Sequence, residues 1–305
     1  LPRPHAAAPW AYVKVAEGCD RRCGFCAIPT FRGDQRSRSF DSLVEEASSL
    51  AAGGARELVL VAQDLASYGR DRRRTAGSDD DLDAPSSQPI VELLGRLRGT
   101  VEWLRLLYLY PSGLTDALID AVLSTGVPYF DLSLQHASRP LLRSMRRWGD
   151  ADRFLQRIQR IRELEPMATF RSSFILGYPG ETEEDQRRLV AFLEEAQLDW
   201  AGFFTFSAEE GTPAIEMDDQ VPTSLALERL AECSELQDAI TARSRDALVG
   251  QTRTVLVDSP GNARSVHEAP EIDGIIAVPS ELAVGEFHEV VVTGSFGTDL
   301  LAMPV

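Results

Sequence analysis

The sequence predicts an α/β protein in which an open partial barrel of six strand–helix units, a (β/α)6 barrel, precedes a small antiparallel β-barrel. Two observations carry this prediction. Short apolar runs alternate with helical patterns from residue 11 to residue 206, and such alternation implies parallel strands joined by right-handed crossovers. Beyond Gly250 the helical period stops, and short β-rich runs separated by turn residues follow. Six units are too few for a closed eight-stranded barrel, so we expect an open one.

The first part of the chain opens with a predicted strand at 11–16, which leads directly into a cysteine-rich loop. Residues 40–52 have helical spacing of apolar side chains and end at Gly53, a typical helix stop. The run 57–62 is short and apolar throughout, as expected of a buried parallel strand. Residues 70–89 hold charge runs, Gly, Ser and Pro with almost no apolar side chains, so we expect a flexible insertion.

The alternation resumes after this insertion. Helices are predicted at 90–97, 115–124, 139–146, 152–164 and 183–196. Strands are predicted at 103–109, 129–134, 170–176 and 201–206. Ligands of parallel sheets bind at the carboxyl ends of the strands, so functional residues are expected there.

The hydrophobic pattern changes in the last part of the chain. A long amphipathic pattern at 225–248 predicts a helix, and the runs 253–258, 274–278 and 289–293 predict strands of a small barrel. We therefore expect a linker at 1–10 from an N-terminal domain, a partial barrel at 11–222, a connecting helix at 223–249 and a β-barrel at 250–305.

Composition and charge exclude several classes of protein. The 305 residues include 47 acidic and 31 basic side chains, a net charge of −16, and 44% are hydrophobic. This composition is globular and supplies a sizeable core. An acidic chain repels nucleic-acid phosphates and suits a basic partner, although solubility alone would also explain the charge. No apolar run reaches the ~20 residues of a membrane helix and no secretory signal is found, so we expect a cytoplasmic protein without membrane contact.

Three of the four cysteines, Cys19, Cys23 and Cys26, lie within eight residues at the carboxyl end of the first predicted strand. A disulfide framework would be spread along the chain, so we expect metal ligands. Three thiolates can hold three irons of a cubane iron–sulfur cluster and leave the fourth iron open to a substrate or cofactor. The alternative is a zinc site in a noncatalytic module, which needs a fourth ligand. Cys233 stands alone and is expected to be a buried apolar residue.

The spacing Cys-x3-Cys-x-Phe-Cys, with Phe25 before the third cysteine, resembles the signature of radical S-adenosylmethionine (SAM) enzymes. The resemblance implies one [4Fe-4S] cluster on Cys19, Cys23 and Cys26, with SAM bound to the open iron through its amino and carboxylate groups. It implies that an electron from the cluster cleaves SAM to a radical that abstracts an unreactive hydrogen. It also implies that Phe25 lies beside the adenine.

Further motifs resemble the methylthiotransferases within this group, and most closely the branch that methylthiolates the β-carbon of an aspartate in a small-subunit ribosomal protein. That branch is indicated by Gln63-Asp64 and Gln135-His136, where the tRNA-modifying relatives usually carry Gln-Asn and Gln-Ser. The C-terminal module resembles a TRAM domain, a small barrel that often binds RNA. With two basic and eight acidic residues, it has a net charge of −6, which suits a basic ribosomal protein better than RNA. A tRNA adenosine methylthiotransferase is the alternative.

Other residues near the strand ends are candidates for holding SAM or substrate. Gln63 and Asp64 follow the second strand, as a polar strand cap or as contacts to the SAM amino group or ribose. Gln135 ends the fourth strand. Arg171 offers a bidentate grip on a carboxylate, of SAM or of the target aspartate, or an ion pair with a neighbouring acid. Gly177 begins a loop that resembles the family's adenine-side turn.

Two further observations concern the same strand ends. Tyr108 and Tyr110 are two residues apart on one predicted strand, so they are expected to share a face, either in the core or lining the cavity. His136 fits a structural histidine as well as a functional one.

The family resemblance also implies an N-terminal domain with three more cysteines and a second cluster, the relay or source of the inserted sulfur. We therefore expect this chain to bind one cluster without completing sulfur insertion. The expected partners are a basic small-subunit ribosomal protein and an electron donor, not tRNA, and a monomer is expected.

Overall fold

The computed structural model describes residues 8–75 and 88–305. The strands are β1 (Trp10–Lys14), β2 (Ala16–Glu17), β3 (Arg36–Ser37), β4 (Glu57–Val61), β5 (Trp103–Leu106), β6 (Tyr129–Gln135), β7 (Thr169–Leu176), β8 (Trp200–Thr205), β9 (Thr252–Ser259), β10 (Asn262–Arg264), β11 (Ile276–Ala277), β12 (Phe287–Phe296) and β13 (Asp299–Pro304). The helices are α1 (Ile28–Arg32), α2 (Phe40–Ala52), α3 (Arg70–Thr75), α4 (Pro89–Leu97), α5 (Asp116–Leu123), α6 (Arg139–Ser144), α7 (Ala151–Leu164), α8 (Glu183–Ala196) and α9 (Thr223–Asp246).

Six parallel strands form the main sheet. β1, β4 and β5 pair with one another in parallel, and so do β6, β7 and β8. A parallel bridge between Leu109 and Leu132 joins the two sets. Within the described part of the chain, β1 and β8 each have one strand neighbour in this sheet. The predicted α/β fold and its six parallel strands are thereby confirmed, and the predicted helices are present with ends within two residues of those expected.

The two faces of the sheet differ in what they contact. Because side chains alternate along a strand, one face presents Leu58, Leu60, Phe130 and Phe170 to the helices, in the main hydrophobic core. Each such buried side chain contributes roughly 1.5–3 kcal/mol relative to an exposed one. The opposite face lines the inside of the curve and carries polar groups, including the fully buried Arg105.

The C-terminal strands close into a five-stranded barrel in the order β10, β11, β13, β12 and β9. Strands β10 and β13 were not among the three predicted runs. One pair departs from the predicted antiparallel arrangement, since β11 and β13 run parallel. A closed ring of five strands cannot alternate in direction throughout, so one neighbouring pair must run parallel. The segment between β10 and β11 forms a long excursion from the barrel.

This excursion packs against the amino-terminal ends of the main-sheet strands. Trp200, the first residue of β8, donates through Nε1 to the carbonyl of His267 at 2.9 Å. Thr169, the first residue of β7, is hydrogen-bonded to the His267 ring at 2.6 Å. Tyr12 donates to the carbonyl of Pro270 at 3.3 Å. The small barrel therefore covers the amino end of the sheet, and the carboxyl ends of the strands lie at the other side.

The predicted insertion at 70–89 is partly helical in the structure. Its first residues form α3, where Asp71 accepts a hydrogen bond from the backbone of Ser37 at 2.8 Å, and α4 begins at Pro89. Residues 76–87 of the insertion, and 1–7 of the predicted linker, lie outside the described residues. None of the described helices has the length and apolar character needed to cross a membrane.

Candidate active site

The cysteine loop is closed at its base by a short antiparallel pair, β2 with β3. Inside the loop, the backbone N–H of Cys19 donates to the carbonyl of Gly33 at 3.1 Å. Gly18 has φ +77°, and a Cβ there would lie 2.3 Å from the carbonyl oxygen of Asp34. Only glycine fits this position, because any side chain would push the two arms of the loop apart. Gly18 therefore allows the two arms of the loop to lie close together.

The far end of the loop is held by other parts of the chain. The Gly24 N–H donates to the carbonyl of Met145 at 2.9 Å, and its carbonyl accepts from the Ala214 N–H at 3.0 Å. A Cβ at Gly24 would lie 2.6 Å from the hydroxyl of Tyr178. These contacts fix the segment between the second and third cysteines at the carboxyl end of the sheet.

The three thiols of the loop lie close enough to interact electrostatically. Cys19 and Cys23 are 8% and 9% exposed, and Cys26 is half-buried. Burial raises the pKa of the Cys19 thiol, and so do the negative charges of Asp64, Cys23 and Cys26. Burial, with repulsion from Cys23, also raises the pKa of Cys26. The thiols repel one another as thiolates, so a cationic metal centre is what would favour their ionised form.

The spacing of these thiols bears on the choice between zinc and a cluster. Across residues 8–75 and 88–305, no three His, Cys, Asp or Glu side chains are placed to hold a single metal ion. A cubane cluster binds each thiolate through a separate iron, so its ligands surround a larger centre. The described residues therefore offer no ready donor set for a mononuclear zinc site.

Asp64 and Gln63 lie directly after β4, beside the cysteine loop. One oxygen of Asp64, Oδ2, accepts from Arg21 Nε at 2.8 Å and from Ser67 Oγ at 2.7 Å. Its other oxygen, Oδ1, is buried, as is Oε1 of Gln63, and neither has a hydrogen-bond partner in the described part of the protein. Buried acceptors of this kind are normally satisfied, so the site fits a ligand that brings amino or hydroxyl donors.

Two arginines that the sequence did not single out complete the mouth of the sheet. The guanidinium carbons of Arg21 and Arg147 lie 3.8 Å and 4.1 Å from the centre of the Tyr110 ring. Arg147 also donates through Nη1 to Cys23 Sγ at 3.5 Å. The sequence could have identified Arg21 as a site residue, because it lies between two of the cysteines. Arg147 gave none, because it lies 124 residues from Cys23.

Phe25 and Gln135 are also at this end of the sheet. Phe25 is partly buried and packs against the main core. Gln135 is the last residue of β6, half-buried, with φ 72°. A left-handed backbone is strained for a side chain other than glycine and is often found at functional sites. The structure thus places Phe25 and Gln135 near the strand ends, where the sequence predicted them.

Arg171 is not part of this group. It lies near the start of β7, where its Nη1 is 3.1 Å from Asp131 Oδ1 and its Nε is 3.6 Å from Asp273 Oδ1. Asp273 belongs to the excursion of the small barrel. Because two carboxylates already share the guanidinium, the ion-pair alternative describes its geometry, and Arg171 links the two modules at the opposite end of the sheet.

Close packing explains why a glycine stands at position 177. Its φ is +75°, and a Cβ would lie 2.5 Å from the Cβ of Ala226 on α9. Its N–H donates to the carboxylate of Glu181, as does that of Tyr178 at 3.2 Å. These contacts account for glycine here without a ligand.

The prediction that Tyr108 and Tyr110 lie on the same face of a strand is wrong. Tyr108 and Tyr110 do not share a face, since Tyr108 is 45% exposed and Tyr110 is 6% exposed. The strand ends at Leu106 and Tyr108 takes φ 64°, so the alternation rule no longer applies.

His136 is fully buried, and its Nδ1 accepts from the Ser138 N–H at 3.0 Å. Burial lowers the pKa of His136 to about 4, which favours the neutral form of the ring, and its buried Nε2 has no hydrogen-bond partner among the described residues.

Comparisons with known protein families agree with this geometry. The model of the Radical SAM superfamily matches residues 13–193, and the model of the TRAM domain matches residues 249–305. Solved structures show the same fold at low sequence identity. Coproporphyrinogen III oxidase (HemN) from Escherichia coli, a radical SAM enzyme, matches with a TM-score of 0.54 at 14% identity. The match covers 77% of this chain and 53% of the HemN chain. The radical SAM methyltransferase TsrM from Kitasatospora setae matches with a TM-score of 0.50 at 18% identity. This match covers 90% of this chain and 45% of the TsrM chain.

Several curated relatives are described as ribosomal protein uS12 methylthiotransferase RimO. The protein from Cutibacterium acnes is 42% identical, over 97% of this chain and 61% of its own length. The protein from Moorella thermoacetica is 43% identical, over 90% and 61%. That from Actinobacillus pleuropneumoniae is 41% identical, over 95% and 68%. This chain spans between three fifths and about two thirds of the length of these relatives. The chain therefore belongs to the radical SAM superfamily and, within it, to the family of the ribosomal protein uS12 methylthiotransferases.

Proposed function

We propose that this chain is the catalytic part of a radical SAM methylthiotransferase that modifies the β-carbon of an aspartate in ribosomal protein uS12. The observation that carries the proposal is the cysteine loop, which holds three thiols together at the carboxyl end of a parallel sheet. Unpartnered acceptors on Gln63 and Asp64 lie beside it. The proposal includes the division of the chain into a partial barrel at 11–222, a connecting helix at 223–249 and a TRAM-like barrel at 250–305.

Cys19, Cys23 and Cys26 would hold one [4Fe-4S] cluster through three of its irons. When bound, this cluster supplies the electron that cleaves SAM and so starts radical chemistry. The burial of Cys19 and Cys23 limits the access of water to their sulfur atoms. The contacts of Gly18 and Gly24 fix the loop, so that the ligands need little reorganisation when the cluster assembles.

SAM would be positioned by residues that already surround the loop. Asp64 Oδ1 and Gln63 Oε1 are free to accept hydrogen bonds from an amino group or a ribose hydroxyl. Arg21 and Ser67 hold the other oxygen of Asp64 and so fix the direction of the free one. Phe25 offers an aromatic edge for the adenine, and Gln135 a polar side chain at the neighbouring strand end. Because Arg171 and Gly177 have structural partners, we assign them no ligand.

Charge supports a protein substrate over RNA. The whole chain has a net charge of −16, and residues 250–305 carry −6. Such a surface repels phosphates and attracts the Lys- and Arg-rich surface of a ribosomal protein. A cytoplasmic location, where ribosomal proteins are made, and a monomeric state complete the proposal. An electron donor would reduce the cluster, and a second cluster on a separate N-terminal domain would serve the sulfur insertion.

The experiment that tests this proposal separates SAM cleavage from substrate choice. The chain is reconstituted anaerobically with iron and sulfide, reduced with dithionite and incubated with SAM, and 5′-deoxyadenosine is measured. Cys23→Ala should abolish the product and Cys233→Ala should retain it. Binding is then compared between a uS12 loop peptide and a tRNA anticodon stem–loop. Tight binding of the RNA alone would favour the tRNA-modifying alternative, and the absence of 5′-deoxyadenosine would contradict the radical mechanism.

A further inference from the structure

Arg147 is placed beside the cysteine loop by the turn that ends α6. The turn uses a left-handed residue, Arg146 with φ 55°, and the Arg147 N–H donates to the carbonyl of Leu142 at 2.7 Å. The side chain is half-buried. Its Nη1 donates to Cys23 Sγ at 3.5 Å, and its Nη2 donates to the carbonyl of Ser133. The guanidinium therefore reaches the sulfur from a fixed backbone position.

The charge of this arginine is directed at the sulfur and not at an acid. Within the described residues, no carboxylate lies within salt-bridge distance of Arg147, although the chain has 47 acidic side chains. Its Nε is buried and has no hydrogen-bond partner there. The face of the guanidinium lies 4.1 Å from the centre of the Tyr110 ring, an arrangement that holds its plane. A half-buried cation without a carboxylate is costly unless another negative group stabilises it.

We propose that Arg147 is a positioning residue that raises the reduction potential of the cluster, through its hydrogen bond and positive charge at the sulfur of Cys23. This inference rests on the proposed function, because it requires a cluster on the three cysteines. A reduced cluster carries one more negative charge than an oxidised one. A cation and an N–H donor at a ligand sulfur stabilise the reduced state more, and hydrogen bonds to sulfur are an established determinant of cluster potential.

A merely structural role would give a different result. The bond from Arg147 to the Ser133 carbonyl ties the turn after α6 to β6, and its loss alone would loosen the loop without changing the electrostatics of an assembled cluster. The reduction potential separates the two roles, since it is measured only on protein that has bound its cluster and does not depend on turnover.

The test compares midpoint potentials, from EPR-monitored redox titrations, of the anaerobically reconstituted wild-type chain and variants at this position. Arg147→Met removes the donor and the charge and should lower the midpoint potential by at least ~59 mV. For one electron this shift is a tenfold change in the equilibrium constant of reduction. Arg147→Lys keeps the charge and should lower it less. Arg143→Gln, which removes an exposed cation from α6, is the matched control and should leave it unchanged.

Iron and sulfide contents accompany every titration. If Arg147→Met assembles too little cluster to titrate, Arg147→Gln, which keeps a neutral donor, takes its place and should still lower the potential. Equal potentials in wild type and in the position-147 variants that hold the cluster would overturn the inference and leave the proposed function intact. A wild-type chain that binds no cluster would overturn both.

Discussion

Arg264 of the small barrel donates a hydrogen bond to Glu57 of the main sheet at 2.8 Å, although the two residues are 207 positions apart in the sequence. Both side chains are buried, and Arg105 donates to the same carboxylate at 2.6 Å. Burial alone would raise the pKa of Glu57, but the charges of Arg105 and Arg264 outweigh it and lower the pKa. The two modules therefore share one buried anion between two cations.

Replacing this shared carboxylate should be strongly destabilising. Glu57→Gln leaves Arg105 buried without a counter-charge and leaves Arg264 with Asp258 alone, and breaking a buried pair in this way costs about 3–5 kcal/mol. The free energy of unfolding from urea titration is the measurement. Glu102→Gln is the matched control, because Glu102 pairs with Arg56 at 2.7 Å on the surface, where a pair contributes about 0–1 kcal/mol. Equal losses in the two variants would contradict a buried ion pair at Glu57.

The stability of the junction between the modules should depend on pH in the acid range. Glu268 is fully buried, which by itself would raise its pKa, but Arg245 and hydrogen bonds from Ser265 lower the pKa to about 2. A carboxyl group whose pKa is lower in the folded state stabilises the fold above its ordinary pKa of 4.5, and this contribution is lost as the pH falls toward 2.

The corresponding variant is Glu268→Gln. At neutral pH it should be less stable than wild type by on the order of 3 kcal/mol. This difference should shrink as the pH is lowered through the range between 4.5 and 2. Urea unfolding of both proteins at several pH values measures it. A difference that stays constant or grows in acid would show that the carboxylate of Glu268 is not stabilised by its surroundings.

Gly177 should matter for packing more than for ligand binding. Gly177→Ala places a Cβ 2.5 Å from the Cβ of Ala226 at φ +75°, so it should cost about 3 kcal/mol through overpacking and backbone strain. Gly180→Ala, at φ +82° with no atom within 4 Å of the new Cβ, should cost only about 1 kcal/mol. Adding Ala226→Gly should recover part of the loss. A stable Gly177→Ala with weakened SAM binding would instead assign Gly177 to the ligand.

Asp64 should contribute directly to SAM binding. Asp64→Asn keeps the shape of the side chain but removes the charge behind its free oxygen, and a hydrogen bond to a charged group is worth about 1.5–3 kcal/mol, or roughly a 10- to 100-fold change in Kd. Calorimetric titration of SAM into the reconstituted chain measures it. The exposed Asp34→Asn in the same loop region should bind as wild type does. Unchanged SAM affinity in Asp64→Asn would reduce Asp64 to a strand cap that holds Arg21.

The parts of the structure that the sequence predicted are those determined by local patterns. The strands follow from short apolar runs, and the cysteine loop follows from a motif of eight residues. The bond between Arg264 and Glu57 could not be predicted, because it depends on how a module 207 residues away docks on the sheet. The sequence left the role of Arg171 open for the same reason, since a guanidinium that binds a ligand carboxylate and one that pairs with Asp131 and Asp273 look identical in sequence.

The most direct test of the account is the EPR spectrum of the reduced, anaerobically reconstituted chain with and without SAM, together with its iron and sulfide content. We expect about four irons per chain, as a [4Fe-4S] cluster on three cysteines requires, and a spectrum that changes when SAM is added. Cys233→Ala should behave as wild type does, since Cys233 is buried in α9 away from the loop. Binding of zinc in place of iron, or a cluster whose spectrum SAM does not alter, would contradict the open-iron site on which the account rests.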